Sequence, residues 1–425
     1  MAIRLAKAVK FLRICCILVF MATFPASATD PSIVRLSQDP ACARALNWID
    51  SSNAWVTEQQ IRLTETPAPE YGEKRRAEVL QSIFADMGYK ARIDEAGDVV
   101  VERIGMQADR VVLLAAHLDT VFPAGTDVQV RREGKRLLAP GISDNGAGLA
   151  ALVGVARAYA ESSLRTDATI VFAGDVGEEG EGNLRGIRAL IDAYGSRLAA
   201  VIAIDGPSTA HITTQGVASR RFEFTVSGPG GHSWSDFGVP NPITALSRGI
   251  VQFSSMRLPD APRSTFNFGV IEGGNSVNSI PGDASVKVDL RSENETELGR
   301  LEVSLRDAMQ AGMAAEIAAR RSAAGTLQMK VRSLGARPAG RLSDNSPLLQ
   351  TVREVDRFLQ NSSRIESSST DANLPLSMKI PAVSLGGGGK GGGAHTLAEW
   401  YDPMGRELGL KRLFLTTAAI AGLQQ

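Results

Sequence analysis

Four short, mostly apolar runs constrain this chain more than any other feature. They read Val-Val-Leu-Leu-Ala-Ala at 111–116, Ala-Thr-Ile-Val-Phe-Ala at 168–173, Ala-Ala-Val-Ile-Ala-Ile at 199–204 and Ala-Val-Ser-Leu at 382–385. Strands without polar alternation must be covered on both faces, as in a parallel sheet flanked by helices. Helical spacing lies between the runs. Over 146–160, Leu149, Leu152, Val153 and Val155 recur on one side, and a second helix is predicted over 182–194. Helices are also predicted over 41–60, 72–87 and 347–359, with a further strand over 99–103. The expected architecture is α/β with a mostly parallel sheet.

The pattern changes after about residue 211. Phe222, Phe224 and Val226 alternate with polar residues, as in a strand with one wet face. A helix over 242–256, strands over 265–271 and 284–289, a long helix over 295–319 and a strand over 326–331 follow. This β-α-β-β-α-β order predicts an α+β, ferredoxin-like unit. The α/β pattern returns after it, so the smaller unit is read as an insertion. The expected organisation is a catalytic domain from 29–212 and 334–425, with an inserted domain over 213–333. A chain of 425 residues has room for both cores.

The first 28 residues read differently. Arg4, Lys7, Lys10 and Arg13 precede an apolar stretch over 14–24, and Ala26-Ser27-Ala28 forms a small-residue cleavage pattern. The stretch is shorter than the ~20 residues a bilayer crossing takes. A cleaved signal peptide, export to the periplasm or exterior, and no stable membrane span are therefore expected. Removing the segment leaves 42 basic against 46 acidic residues, with no basic block, which argues against a nucleic-acid partner. It also removes Cys15 and Cys16 and leaves Cys42 alone. A thiolate metal site is then excluded, and any metal must be held by histidine and carboxylate.

Such residues gather at one edge of the predicted sheet. His117, Glu179, Asp205 and His395 each follow a predicted strand, and Asp144 lies in the Gly-Ile-Ser-Asp-Asn-Gly turn that leads into a helix. Ligands of open α/β sheets bind at the carboxyl ends of the strands. Two histidines and three carboxylates suit two zinc ions if one carboxylate bridges, and Asp144 is the bridging candidate. Cobalt or manganese are alternatives. Glu178, beside Glu179, is positioned to act as a general base. Asp119, two residues after His117, could accept that ring's second N–H and set its tautomer.

These residues, in this order, resemble those of the M20 metallopeptidases, the group of glutamate carboxypeptidase, tripeptide aminopeptidase and succinyl-diaminopimelate desuccinylase. The resemblance covers almost the whole chain after the signal. It implies that His117, Asp144 and Asp205 hold one zinc and Asp144, Glu179 and His395 the other, with Glu178 as base and Asp119 behind His117. It also implies a lid or dimerisation domain, a homodimer formed through it, and a small peptide or N-acyl amino acid as substrate. Within the lid, Gly230-Gly231-His232-Ser233 resembles a loop whose histidine stabilises an oxyanion, and Asn278 and Arg291 resemble substrate contacts. The expected function is zinc-dependent hydrolysis of peptide bonds. The alternatives are an N-acyl-amino-acid amidohydrolase and, in another class, an inactive exported binding protein. The glycine-rich segment 386–393 departs from the family pattern and reads either as a gate or as a loop packed hard against the site.

Overall fold

The protein is described by a computed structural model, which covers residues 31–320 and 325–423. The expected signal peptide lies outside these residues. Among them, no helix is long and apolar enough to cross a membrane.

The four apolar runs form the centre of a nine-stranded sheet. Ala168–Asp175, Gln107–His117, Leu198–Ile204 and Ala382–Leu385 lie side by side and parallel, in that order. Every residue from Val111 to His117 is buried, as is every residue of Ala168–Asp175. Antiparallel strands flank this centre, Val99–Arg103 on one side and His211–Gly216 on the other, with Arg92–Ile93, Gly340–Arg341 and Arg364–Ser368 beyond them. Helices Gly146–Ser162, Lys74–Asp86 and Arg406–Ala421 contribute to the one large core, which includes Leu80, Phe84, Leu152, Tyr159, Phe172 and Phe414. The single helix predicted over 41–60 is in fact two, Pro40–Ser51 and Asn53–Thr64, interrupted at Ser52. Ser52 caps one helix and begins the next, a local competition that apolar spacing does not register.

A second sheet has its own core. Strands Ser264–Gly273, Asp283–Ser292, Ala218–Ser227 and Gln328–Arg337 lie in that spatial order, all antiparallel. Helices Pro242–Ser254 and Glu295–Ala318 cover its buried side, and Phe222, Phe224, Val226, Val286, Val288, Leu290, Phe253 and Leu305 fill the interior. The alternation seen in the sequence is therefore real, with one face on this core and the other polar.

Two polar anchors within the large core stand out. Arg412 is fully buried, donates through Nη2 to Asp356 Oδ2 at 2.7 Å and through Nη1 to the carbonyl of His211 at 3.0 Å. It joins helix Arg406–Ala421 to helix Pro347–Phe358 and to a strand. Arg406, equally buried, donates to Thr57 Oγ1 at 2.8 Å and to the Tyr401 hydroxyl at 2.9 Å. Removing one partner of a buried ion pair strands the other charge. Arg412→Met should lower stability by about 3–5 kcal/mol in denaturant titrations of metal-stripped protein, and adding Asp356→Leu should recover most of that loss.

Candidate dinuclear metal centre

The site sits where the parallel strands end. His117 is the last residue of its strand, Asp205 follows Ile204 in the next, and Glu178 and Glu179 lie just beyond Asp175. Neighbouring strands of a sheet lie about 4.7–4.9 Å apart, so chemistry-bearing residues placed at adjacent strand ends converge. Asp144 precedes helix Gly146–Ser162. Its neighbour Asn145 caps that helix by accepting from Gly148 N at 3.1 Å, also accepts from Gly206 N at 3.2 Å, and donates to Ile204 O at 2.8 Å. One amide thus binds the Asp144 turn to the strand end that carries Asp205. A Cβ on Gly148 would stand 2.1 Å from Asn145 Oδ1, so only glycine fits there.

His395 arrives from a hairpin that the sequence pattern did not reveal. Strands Lys390–Gly392 and Trp400–Asp402 flank it, in a four-stranded sheet with Arg136–Leu138 and Arg131–Glu133. His395 has a left-handed backbone, φ 64°, uncommon for a residue with a side chain. Four residues later, the buried Glu399 accepts hydrogen bonds from Gly141 N at 2.8 Å and from Ser143 N and Asp144 N at 2.7 Å each. This carboxylate folds the Asp144 turn around itself. The acid four places after His395 was the only sequence signal for it. Burial pushes the Glu399 carboxyl up to about 7, against the pull of those three N–H groups.

All five expected ligands meet. His117 Nε2 is 3.3 Å from Asp144 Oδ1, and His395 Nε2 is 3.2 Å from Asp144 Oδ2 and 2.9 Å from Glu179 Oε1. Ligand atoms of His117, Asp144 and Asp205 lie within 4.8 Å of one another, as do those of Asp144, Glu179 and His395. A third such group joins His117, Glu178 and Glu179. Asp144 belongs to both of the first two groups and turns one oxygen toward each histidine. His117 is almost wholly buried whereas the His395 side chain is 54% exposed, so one side of the centre faces solvent.

Asp119 lies beside His117, with a division of labour the sequence did not suggest. Nδ1 of the ring is 3.1 Å from the Asp119 carbonyl oxygen and 3.6 Å from its carboxylate. The carboxylate instead accepts from Glu178 N at 3.1 Å and Glu179 N at 2.7 Å. It fixes the loop that bears both glutamates. Glu178 itself is buried and its Oε1 accepts from Arg337 Nη1 at 2.7 Å, a partner with no local sequence signal.

The lid residues do not join this group. His232 is exposed, and its Nδ1 accepts from Trp234 N at 3.2 Å. Asn278 is also exposed, and its carbonyl accepts from Ser233 N at 3.0 Å, so the two lie together on the lid. Arg291 donates to Asp289 at 2.6 Å and lines a cleft of about 210 Å³ with Arg263, Glu293, Ser367 and Ser369. Asp144 and Asp205 instead open into a cleft of about 590 Å³, walled by Pro207, Thr209, Lys390 and Trp400. The glycine-rich segment packs tightly behind that wall. A Cβ on Gly386 would come within 2.2 Å of Ser208 O, and one on Gly388 within 2.3 Å of Arg406 O. Gly386 and Gly388 thus pack behind the wall, whereas Gly389 to Gly392 line the cleft itself.

The charges explain what such a site would bind. Burial disfavours ionisation of His117, yet the Asp119 and Asp144 carboxylates hold its pKa well above the usual range. Asp144 and Glu179 hold His395 up at about 10. Burial first, then the Asp144 charge, raises Asp205 well above an ordinary carboxyl, and burial raises Glu178 although Arg337 opposes it. Asp144 is lowered, because the two imidazoles outweigh its burial. Acids crowded this way are relieved by cations. The residues also fit them chemically. The donor set is imidazole and carboxylate, suited to zinc, and Asp144 Oδ1, though buried, takes part in no hydrogen bond. Cys42, the thiol among the described residues, is buried elsewhere and pushed up to about 12 by burial and Asp39.

A model of peptidase family M20/M25/M40 matches residues 113–417, and the chain belongs to that family. Carboxypeptidase G2 of Pseudomonas sp. (strain RS-16) is 26% identical over 204 residues, 46% of this chain and 48% of that protein. A putative succinyl-diaminopimelate desuccinylase DapE of Mycobacterium tuberculosis is 28% identical over 236 residues, 54% of this chain and 65% of that protein. The chain thus spans about half to two thirds of the length of these curated relatives. The solved structure of the di-peptidase Dug1p from Saccharomyces cerevisiae matches with a TM-score of 0.73 at 13% identity, covering 89% of this chain and 98% of that one. At that identity the likeness concerns the fold.

Metal loading should depend on pH with a definite sign. The neighbouring carboxylates hold the pKa of His395 up at about 10 and that of His117 well above its usual value, and a metal must displace any proton these rings carry. Zinc affinity should therefore rise with pH across about pH 6 to 8, by about tenfold per unit for each proton displaced. Calorimetric titration of stripped protein in buffers of different ionisation enthalpy measures the release. Binding without proton release would contradict this account.

Proposed function

We propose that this chain is an exported, two-zinc hydrolase that cleaves the amide bonds of small peptides. The observation that carries the reading is Asp144, one carboxylate shared by two three-residue ligand groups, with the further carboxylate of Glu178 beside them. In this reading His117, Asp144 and Asp205 hold one ion and Asp144, Glu179 and His395 the other. The ions, when bound, polarise the scissile carbonyl and acidify the attacking water. Glu178 takes the proton from that water and delivers it to the departing amine. Asp119 and Asn145 hold the ligand-bearing loops, and the 590 Å³ cleft receives the substrate. Export is supported by the basic, apolar and small-residue pattern of residues 1–28.

The lid supplies the remaining contacts in this reading. Arg291 and Asn278 meet the substrate, and His232 stabilises the developing oxyanion. His232 stands exposed beside Trp234 and Phe237, which are 86% and 78% exposed. By the family resemblance, such a loop serves a site across a subunit boundary, which fits its distance from the cluster in this chain. Val251 of the lid helix and Val270 and Ile271 of the edge strand are also exposed, which supports a homodimer formed through the lid. Sedimentation velocity of the mature protein should give twice the chain mass, and a monomer at micromolar concentration would remove this part.

The likeness to a putative desuccinylase supports a second reading, an N-acyl-amino-acid amidohydrolase using the same residues. A panel of di- and tripeptides set against N-acetyl and N-succinyl amino acids separates the two. Glu178→Gln should reduce turnover ~10²–10⁴-fold on any substrate found, with zinc content unchanged. Near-full turnover in that variant would refute its role as base, and no zinc-dependent hydrolysis by the parent protein across the panel would refute both readings.

A further inference from the structure

The loop over 177–182 carries both Glu178 and Glu179, and three basic side chains reach it from three neighbouring strands of the smaller sheet. Arg221, in strand Ala218–Ser227, donates to the carbonyl of Gly180. Lys287, in strand Asp283–Ser292, donates to Glu181 Oε1 at 2.7 Å. Arg337, the last residue of strand Gln328–Arg337, donates through Nη1 to Glu178 Oε1 at 2.7 Å and through Nη2 to the Glu178 carbonyl. One residue earlier, Ala336 N donates to Asn183 Oδ1 at 2.9 Å.

These ties are not equivalent. Lys287 and Glu181 are each about a third exposed, so their attraction is screened. Arg337 and Glu178 are both 4% exposed. Arg337 also reaches the large sheet's side of the cleft, where Nη1 donates to Ser369 Oγ at 3.0 Å. A planar guanidinium that grips both the carboxylate and the main chain of one residue removes its rotational freedom, which a lysine cannot do. At its other end Arg337 is paired with Ser219 in the lid sheet. The same side chain therefore spans the lid, the rim of the large sheet and Glu178.

We propose that Arg337 is a positioning residue through which the lid sheet holds the Glu178 carboxylate in its working orientation. With Oε1 engaged by Arg337, Oε2 is the oxygen left to accept a proton. The inference rests on the reading of Glu178 as the base. Lid placement and base placement become one variable, because the strand that ends at Arg337 cannot shift without moving the group it grips.

The test compares zinc-loaded, mature protein with Arg337→Ala and Arg337→Lys, using whichever substrate the panel identifies. A misplacement of about 1 Å can cost ~10²-fold in rate. Arg337→Ala should therefore lower kcat about 10²-fold, with KM and zinc stoichiometry unchanged. Arg337→Lys, which keeps one contact and loses the second, should recover part of that loss. Hydrogen–deuterium exchange supplies a readout independent of turnover. Amides of the 177–182 loop should exchange faster in both variants, while those of the central strands keep their protection. A raised KM with unchanged kcat would overturn the proposal, since Arg337 would then serve the substrate directly. Unchanged exchange in the loop would overturn it as well. Should the alanine variant not fold, the lysine variant decides by the same two measurements. A parent protein without hydrolytic activity would defeat the functional reading alone, and the exchange comparison would still judge the tie.

Discussion

Everything in this site depends on Asp144 standing between two histidines. Each of its oxygens faces one imbidazole-bearing strand end or loop, His117 Nε2 at 3.3 Å and His395 Nε2 at 3.2 Å. A carboxylate in that position couples two otherwise separate ligand groups. It also concentrates negative charge, since Glu178, Glu179 and Asp205 lie close by. Such a cluster is costly to bury without compensating positive charge. The raised pKa of each histidine reflects that demand for positive charge, and divalent ions are the stronger compensation.

The surrounding structure is organised to hold that arrangement against its own repulsion. Glu399 gathers three main-chain N–H groups of the Asp144 turn, Asn145 ties the turn to the end of the next strand, and Asp119 anchors the loop of the two glutamates. Each is a short polar side chain satisfied by backbone groups in a place without ready access to water, where an unmade bond would be expensive. The candidate ligands thus need not fix the loops that carry them. Outer contacts of this kind tune a metal site as strongly as the ligands do.

Much of this was legible beforehand. Apolar runs with no alternation gave the parallel centre of the sheet, alternation at Phe222, Phe224 and Val226 gave the half-exposed lid strand, and all five ligand candidates came together. The failures have physical reasons. At Ser52 the hydroxyl and the main-chain N–H both turn back to the Ile49 carbonyl, a local arrangement that leaves no periodic trace. The hairpin carrying His395 consists of three-residue strands with glycine-rich sequence, too short for any period to appear. Arg337 was invisible because its partner lies 159 positions away, and nothing local distinguishes a buried arginine from an exposed one. At Asp119 the carbonyl lies nearer the His117 ring than the carboxylate does, and the carboxylate holds the glutamate loop, a choice between two oxygens of one residue that no spacing records.

The order of residue types along the chain was enough to indicate the α/β class and the five residues that meet at the strand ends, because these follow from local periodicity and from the convergence of strand ends. Tertiary structure alone decided which oxygen faces which nitrogen, which acids are shielded from water, and which distant basic groups grip the glutamate loop. Those properties depend on separations of a few ångströms between segments far apart in the chain. Coulombic and hydrogen-bond energies change steeply over that distance, and no spacing in the sequence encodes it.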